Sequence, residues 1–306
     1  MTVWRIKLNS KREETGLLSP DWDSAKRYCR EHGLVGVGWG LEGVSEGASY
    51  QEVLAALAKS PHKDQGTGKH TLNRFVNEVS TGDLMWTRDK FGQFWLCEIT
   101  GDWAYDTSGG SIANDLYNIR PAHWHQDPFM DDEVPGAVIR AFSGPGTTLC
   151  RIGDHQAALR VSEQLWKLRN EPKDTNGGLV FTPQEAITDL LDPKDVEDLV
   201  LLYLQAKGWL LLPSSRRRDT PVFEAELRKP SGEACVVSVK TGPTNLVPLG
   251  ELDAAAGPRL PFAYSSHGSY SKDSDRVVKI ETEQLVNFVA KHPALLPPRL
   301  SRWLAL

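Results

Sequence analysis

Between Asp192 and Lys240 the periodicity of the chain changes once, from helical to extended, and that change restricts the fold more than any other feature. Asp192-Pro193 joins an N-cap residue to a proline at the first helical position. Val196, Leu199, Val200, Tyr203 and Leu204 then recur at helical spacing until Lys207-Gly208, a stop signal. Three strand-like runs follow: WLLL from Trp209, then PVFEAEL, then, past the turn KPSGE, ACVVSVK. A helix with one apolar stripe ahead of three strands buries that stripe by lying on their sheet, so a layered α/β unit is predicted. PFAYSS and RVVKI supply two more strands, and a helix is predicted over 282–291, ending before Pro293. Thr182-Pro183 repeats the cap-and-proline signal and opens a shorter helix.

Upstream, the pattern is of short strands and turns. WRIKL alternates with period two and reads as a strand; Asp23 caps a helix over SAKRYCREHG that Gly33 closes; LVGVGWG reads as a strand punctuated by glycine. Helices are predicted over 49–59 and 70–79, and LMWTRDKFGQFWLCEITGDWAY divides into two strands joined at Lys90-Phe91-Gly92. IRPAHWH gives a last strand before the acidic, turn-rich DPFMDDEVPG. AVIRAF reads as a further short strand, followed by a loop at SGPGT, a helix over 155–170 and the linker EPKDTNGG. With 306 residues, two domains are expected, and these signals place them at 1–130 and 181–306, with 131–180 as a helical connector and linker.

Composition narrows the function classes. With 40% hydrophobic and 25% charged residues the chain is that of a globular protein, and no apolar run approaches the roughly 18 residues of a membrane span. Because MTVWRIKLNSKREE turns charged at once, a cytoplasmic location with no membrane partner is expected. The four cysteines (Cys29, Cys97, Cys150, Cys235) lie far apart, which argues against a zinc knuckle or a disulfide scaffold. A net charge of -5 excludes a basic surface over the whole chain, so any nucleic acid must be held by local patches. No GxxxxGK[ST] loop occurs and GVGWG lacks a dinucleotide-binding context, so no nucleotide cofactor is expected. His123 and His125 share a strand face without the partners a zinc site requires.

The hairpin before Lys240 carries the chemistry. Side chains alternate along a strand, so Val222, Glu224 and Glu226 share one face, as do Ala234, Val236, Ser238 and Lys240 on the next strand. Parity therefore lets Glu224, Ser238 and Lys240 meet. Phosphodiester hydrolysis needs carboxylates to hold Mg²⁺ and a cation to stabilise the charge of the transition state, and these are the residue types present. Arg216, Arg217 and Arg218 lie in the preceding loop, where they form either a solvated face or a set of phosphate contacts.

EDLVLLYLQAKGW, SSRRRDTPVFEAEL and ACVVSVKTG, within about residues 190–290, resemble the core of the PD-(D/E)XK nucleases, especially the Mrr-like restriction endonucleases. The resemblance implies a restriction-endonuclease-like mixed sheet flanked by helices. It makes Glu197 the acid of the first core helix, Glu224 the metal-binding acid of the hairpin and Lys240 the catalytic lysine, with Asp219 competing for the acid's role. Glu224 and Glu197 would hold Mg²⁺ or Mn²⁺. Ser238 stands where the family commonly has Glu, Asp or Gln.

Residues 1–128, through WRIKL, GLVGVGWG, GDLMWTRDKFGQFWLCEITGDW and IRPAHW, are similar to the PUA-like superfamily, which includes the EVE and YTH domains. That similarity implies an α+β barrel with an aromatic cage for a flipped or single-stranded modified base, placing Trp39 and Trp103 in the cage with Trp86 as a third candidate. Burial in the barrel core is the competing reading for each. The two resemblances together imply a modification-dependent restriction endonuclease that cuts base-modified foreign DNA in antiphage defence, as a homodimer. The alternatives are a non-catalytic nucleic-acid-binding protein with a decayed nuclease core, and an RNA-directed reader.

Overall fold

Seven short strands make the first sheet: β1 Val3–Ile6, β2 Leu34–Val37, β3 Leu84–Arg88, β4 Phe94–Ile99, β5 Ala104–Tyr105, β6 Asn118–Trp124 and β7 Leu149–Arg151. The computed structural model describes residues 1–8, 23–60, 65–143, 147–152, 156–170, 181–217, 222–271 and 274–304. They divide into two compact units, Met1–Val134 with Val138–Leu179, and Pro135–Ala137 with Val180–Leu306.

In the first unit the strand order is β2-β6-β4-β3-β1-β7, with β5 on β6. Only β1 and β3 pair in parallel. The sheet curls as a half-barrel around Trp4, Ile6, Val35, Met85, Cys97 and Ile99. Along β1 every residue is buried, not every second one, because both faces are covered. On the outer side, the Trp86 indole of β3 donates to Ser162 Oγ of the helix Gln156–Asn170 at 3.1 Å.

Of the segment 131–180, expected as a connector, Val138–Leu179 groups with the first unit, with β7 extending the sheet beside β1, while Pro135–Ala137 groups with the second. AVIRAF, expected as a strand, lies in the helix Gly136–Ser143. A short apolar run does not distinguish the two states by itself. Gly136 is required there, since a Cβ would lie 2.2 Å from the Asp192 backbone nitrogen.

Asp23 precedes the helix Ser24–Glu31 but does not cap it; its carboxylate accepts from Lys26 Nζ at 2.8 Å. The helix predicted over 70–79 is Gln65–Asn73 followed by a π-helical turn, Arg74–Glu78. The buried Arg120 guanidinium donates to the carbonyls of Phe75 and Val76 in this irregular turn and to that of Gly101 beyond β4.

The second unit is a mixed sheet of β8 Leu210–Leu211, β9 Ala225–Arg228, β10 Ala234–Lys240, β11 Leu260–Ser265 and β12 Val278–Ile280, in the order β12-β11-β10-β9-β8. The three strands β10, β11 and β12 run parallel, while β8, β9 and β10 form antiparallel pairs. The helix Leu249–Ala256 crosses from β10 to β11 and buries Leu249, Leu252 and Ala256 with Val236 and Ala263. Its signal, LGELDAAA between Pro248 and Gly257, is too short to register in the sequence. The helix Pro193–Ala206 packs on β8 and β10, and Asp192 caps it by accepting from the Lys194 amide at 2.9 Å. Thr182 caps the preceding helical turn in a reciprocal capping box with Glu185.

Candidate functional site

At the end of β10 the antiparallel ladder opens. Glu224 makes the last β9 contact, its amide donating to the Val237 carbonyl at 2.9 Å. Beyond it, the Val239 amide donates not to a backbone carbonyl but to Glu224 Oε2, at 2.7 Å. The other carboxylate oxygen accepts from Lys240 Nζ at 2.8 Å. The side chain therefore replaces a rung of the ladder and holds the lysine at the point where the strands part. Both groups are partly open, with side-chain exposures of 17% for Glu224 and 29% for Lys240.

Glu197, on the helix Pro193–Ala206, belongs to the same cluster. Burial pushes its carboxyl above the ordinary glutamate range and the nearby Glu224 carboxylate adds to this, while Arg216 and Lys240 act in the opposite sense. Arg216 Nη2 lies 3.7 Å from Glu197, and Nη1 donates to Asp198 at 2.9 Å. Arg216, for which a solvated face and a phosphate contact are both open in the sequence, is engaged by two carboxylates of the helix. The Arg217 side chain, Arg218 and Asp219 lie outside the described residues.

Ser238 does not join Glu224 and Lys240. Its residue is fully buried and its hydroxyl has no hydrogen-bond partner. It sits on a central strand opposite Ala263, and its side chain is too short to reach out of that layer. Glu226, on the same strand face by parity, instead binds Arg259 at 3.0 Å and Arg228 at 3.2 Å. Among the described residues no group of three or more His, Cys, Asp or Glu side chains is placed to hold a metal ion. Among the described residues, the site brings the carboxylates of Glu224 and Glu197 together with Lys240.

A chain of contacts beside this end of the sheet is not legible in the sequence. The Ser266 amide donates to the Lys240 carbonyl at 3.0 Å, and the Gly242 amide donates to Ser266 Oγ at 3.2 Å. The same hydroxyl meets His267 Nδ1 at 2.9 Å, and His267 Nε2 lies 3.6 Å from Asp189. Parallel pairing of β10 with β11 brings these distant residues together, and no local signal announces it.

In the first unit Trp39 and Trp103 are half-buried and pack against the same two clusters, the barrel core and a group around Leu41, Val53, Leu57 and Tyr105. Trp39 has a left-handed backbone (φ 76°) between two glycines. Trp103 donates through Nε1 to Asn118 Oδ1 at 3.3 Å, and Asn118 donates in turn to the Gly38 carbonyl at 2.7 Å. Trp86 is excluded from any cage, being fully buried against Phe94 and Phe129. A cavity of about 660 Å³ opens beside Leu41, Val44, Ala48 and Ala56, and neither Trp39 nor Trp103 lines it. His123 and His125 pack their rings against Trp166.

Residues 16–136 match the model of a domain of unknown function, DUF8426. This covers most of the first unit and none of the Glu224–Lys240 cluster. No curated protein matches the chain. Among solved structures, the MspJI restriction endonuclease in complex with a 27-mer oligonucleotide aligns at 13% identity, covering 90% of this chain and 75% of that one, with a TM-score of 0.20. A score of that size is too slight to define a shared fold. No helix of the described residues is long and apolar enough to cross a membrane.

Proposed function

We propose that the second unit hydrolyses phosphodiester bonds of DNA with a divalent metal, and that the first unit reads a modified base in that DNA. The observation that carries the first half is the Glu224–Lys240 pair, 2.8 Å apart where β9 leaves β10, with the Glu197 carboxyl within its electrostatic reach. Two carboxylates suit Mg²⁺, which binds through one or two such groups together with substrate phosphate and water. Glu224 and Glu197 would hold Mg²⁺ or Mn²⁺, and the ion, when bound, supplies polarisation of the phosphate and activation of a water. Lys240 stabilises the negative charge that develops on the phosphorus oxygens, and Glu224 orients that ammonium through its hydrogen bond. The reader half rests on Trp39 and Trp103, half-buried neighbours whose rings would stack on a base. Base-modified foreign DNA is the substrate class this pairing implies, and cutting both strands calls for two copies of the site, hence a homodimer.

Cleavage of modified and unmodified plasmid DNA with Mg²⁺ or Mn²⁺ tests this. Lys240→Ala and Glu224→Ala are expected to lose at least about 10²-fold in rate, the scale of removing one transition-state donor, while DNA binding stays near wild type; thermal unfolding stays near wild type for Lys240→Ala and falls for Glu224→Ala, which also frees the Val239 amide. Wild-type rates from either variant remove that residue from the mechanism, and an inactive Asp219→Ala beside an active Glu224→Ala transfers the acid's role to Asp219. Trp39→Ala or Trp103→Ala is expected to weaken binding of the modified oligonucleotide by roughly 1–3 kcal/mol, and that of the unmodified one much less.

The second reading is a nucleic-acid-binding protein without catalysis, and Ser238 favours it, since a buried, unpartnered hydroxyl replaces the third ligand of the resembled family. Wild-type protein that binds DNA but cuts none under either metal would establish that reading. Tighter binding of modified RNA than of modified DNA would redirect the reader half.

A further inference from the structure

The turn between β3 and β4 is a rigid support for an exposed ring. The Asp89 carboxylate accepts from the Phe91 and Gln93 amides, each at 2.9 Å, and from Trp95 Nε1 at 3.2 Å, and Gly92 closes the turn with φ 86°. Phe91 at its tip is 77% exposed, the most exposed of the large hydrophobic side chains among the described residues. A single exposed apolar side chain is ordinary on a protein surface, so the ring gains meaning only from the charges beside it. Lys90 Nζ lies 5.2 Å from the centre of that ring.

Beside the turn is a cleft of about 360 Å³ lined by Lys7, Asp23, Lys26, Arg88, Asp89 and Lys90. Asp23 is paired with Lys26 at 2.8 Å, and both oxygens of Asp89 are occupied within the turn. Burial, and after it the charge of Arg5, lowers the proton affinity of Lys7. Lys26 is buried, whereas Arg88 and Lys90 are exposed beside Phe91.

We propose that the β3–β4 turn and the adjoining rim of this cleft form a nucleic-acid contact surface, with Phe91 stacking on a base and the exposed Arg88 and Lys90 facing the phosphates of the same strand. An exposed ring flanked by cations is what binds a single strand through stacking and charge neutralisation, and the planar guanidinium of Arg88 matches a phosphate. The inference rests on the nucleic-acid reading above but uses none of its residues.

The test is binding of a labelled 15-mer of thymidine to the full chain over a salt series. Phe91→Ala is expected to weaken binding roughly 5- to 100-fold with unchanged salt dependence, and Phe91→Trp to retain it. The double substitution Arg88→Gln and Lys90→Gln should flatten the slope of log K against log salt by about 0.7 for each phosphate that is no longer neutralised. All three side chains are exposed, so thermal unfolding should not move. Wild-type binding by all variants overturns this surface and leaves the proposed nuclease and reader intact, whereas wild-type protein that binds neither this strand nor any modified or duplex DNA overturns both. Displacement of the oligonucleotide by polyglutamate, together with undiminished binding by Phe91→Ala, would assign the cleft to an acidic protein and also overturn the proposal.

Discussion

Glu197 is a carboxyl group whose proton affinity is set by its neighbours. Burial comes first, then Glu224, and together they outweigh Arg216 and Lys240, so the folded protein holds this proton more tightly than the unfolded chain does. Stability contributed by a raised carboxyl is fully present below its unfolded value and is lost as pH rises through the folded one. Glu197→Gln, which carries no charge at any pH, should therefore match wild type at about pH 3, where the glutamate is protonated in both folded and unfolded chains, and melt at a higher temperature than wild type at pH 7. Thermal unfolding across that range checks this; an unchanged or lower midpoint at pH 7 would mean that the 3.7 Å Arg216 contact dominates instead. Arg216 shows why a run of arginines is ambiguous in a sequence: guanidinium groups suit phosphate and carboxylate alike, and here the carboxylates lie on the adjacent helix.

At the scale of elements, position depends on how each segment is terminated. The helix that carries Glu197 begins at Asp192, whose side chain accepts from the Lys194 amide and whose own amide donates to Asp195 Oδ2 at 3.2 Å. Asp195 is tied in turn to Arg299 at 2.6 Å, so the first turn is anchored from two sides. Asp192→Ala should cost about 1 kcal/mol of stability in chemical denaturation, the usual effect of removing an N-cap, whereas Asp192→Asn should cost much less. Strand β9 is bounded differently, at Glu224, whose amide makes the last rung to Val237 and whose carboxylate takes the Val239 amide in place of the next. The same step that ends pairing leaves Glu224 and Lys240 partly open to solvent, so the candidate site is a consequence of where the sheet stops.

The two units also differ in what each requires to fold. In the first, β7 covers the edge of β1 and the helix Gln156–Asn170 lies over Trp86, so a fragment cut at residue 130 would bare a strand edge and an indole that are buried in the whole unit. Fragment 1–170 should give a near-ultraviolet circular dichroism spectrum with fixed aromatic signals and a cooperative melt. Fragment 1–130 should show weakened signals and bind a hydrophobic dye. A well-folded 1–130 fragment would show that β7 and the following helix are accessory.

Chemistry that is local along the chain was determined by the sequence alone. Pro193 behind Asp192, the apolar stripe up to Leu204 and the turn at Gly232 specify a helix followed by an antiparallel strand pair, and the parity of that pair admits Glu224 and Lys240 to one place. The tight turn carrying Phe91 was legible for the same reason, since glycine and aspartate fix a backbone within a few residues. Tertiary structure decided whatever depends on the residue across a layer. It buried Trp86 under a helix some seventy residues away in sequence, left the Ser238 hydroxyl without a partner inside the sheet, and turned AVIRAF into a helix. It also set Arg216 against Glu197 and joined His267 to Asp189. Periodicity records which face of a segment is apolar, whereas burial on both faces, and the partner of each charge, are properties of the neighbours that folding supplies.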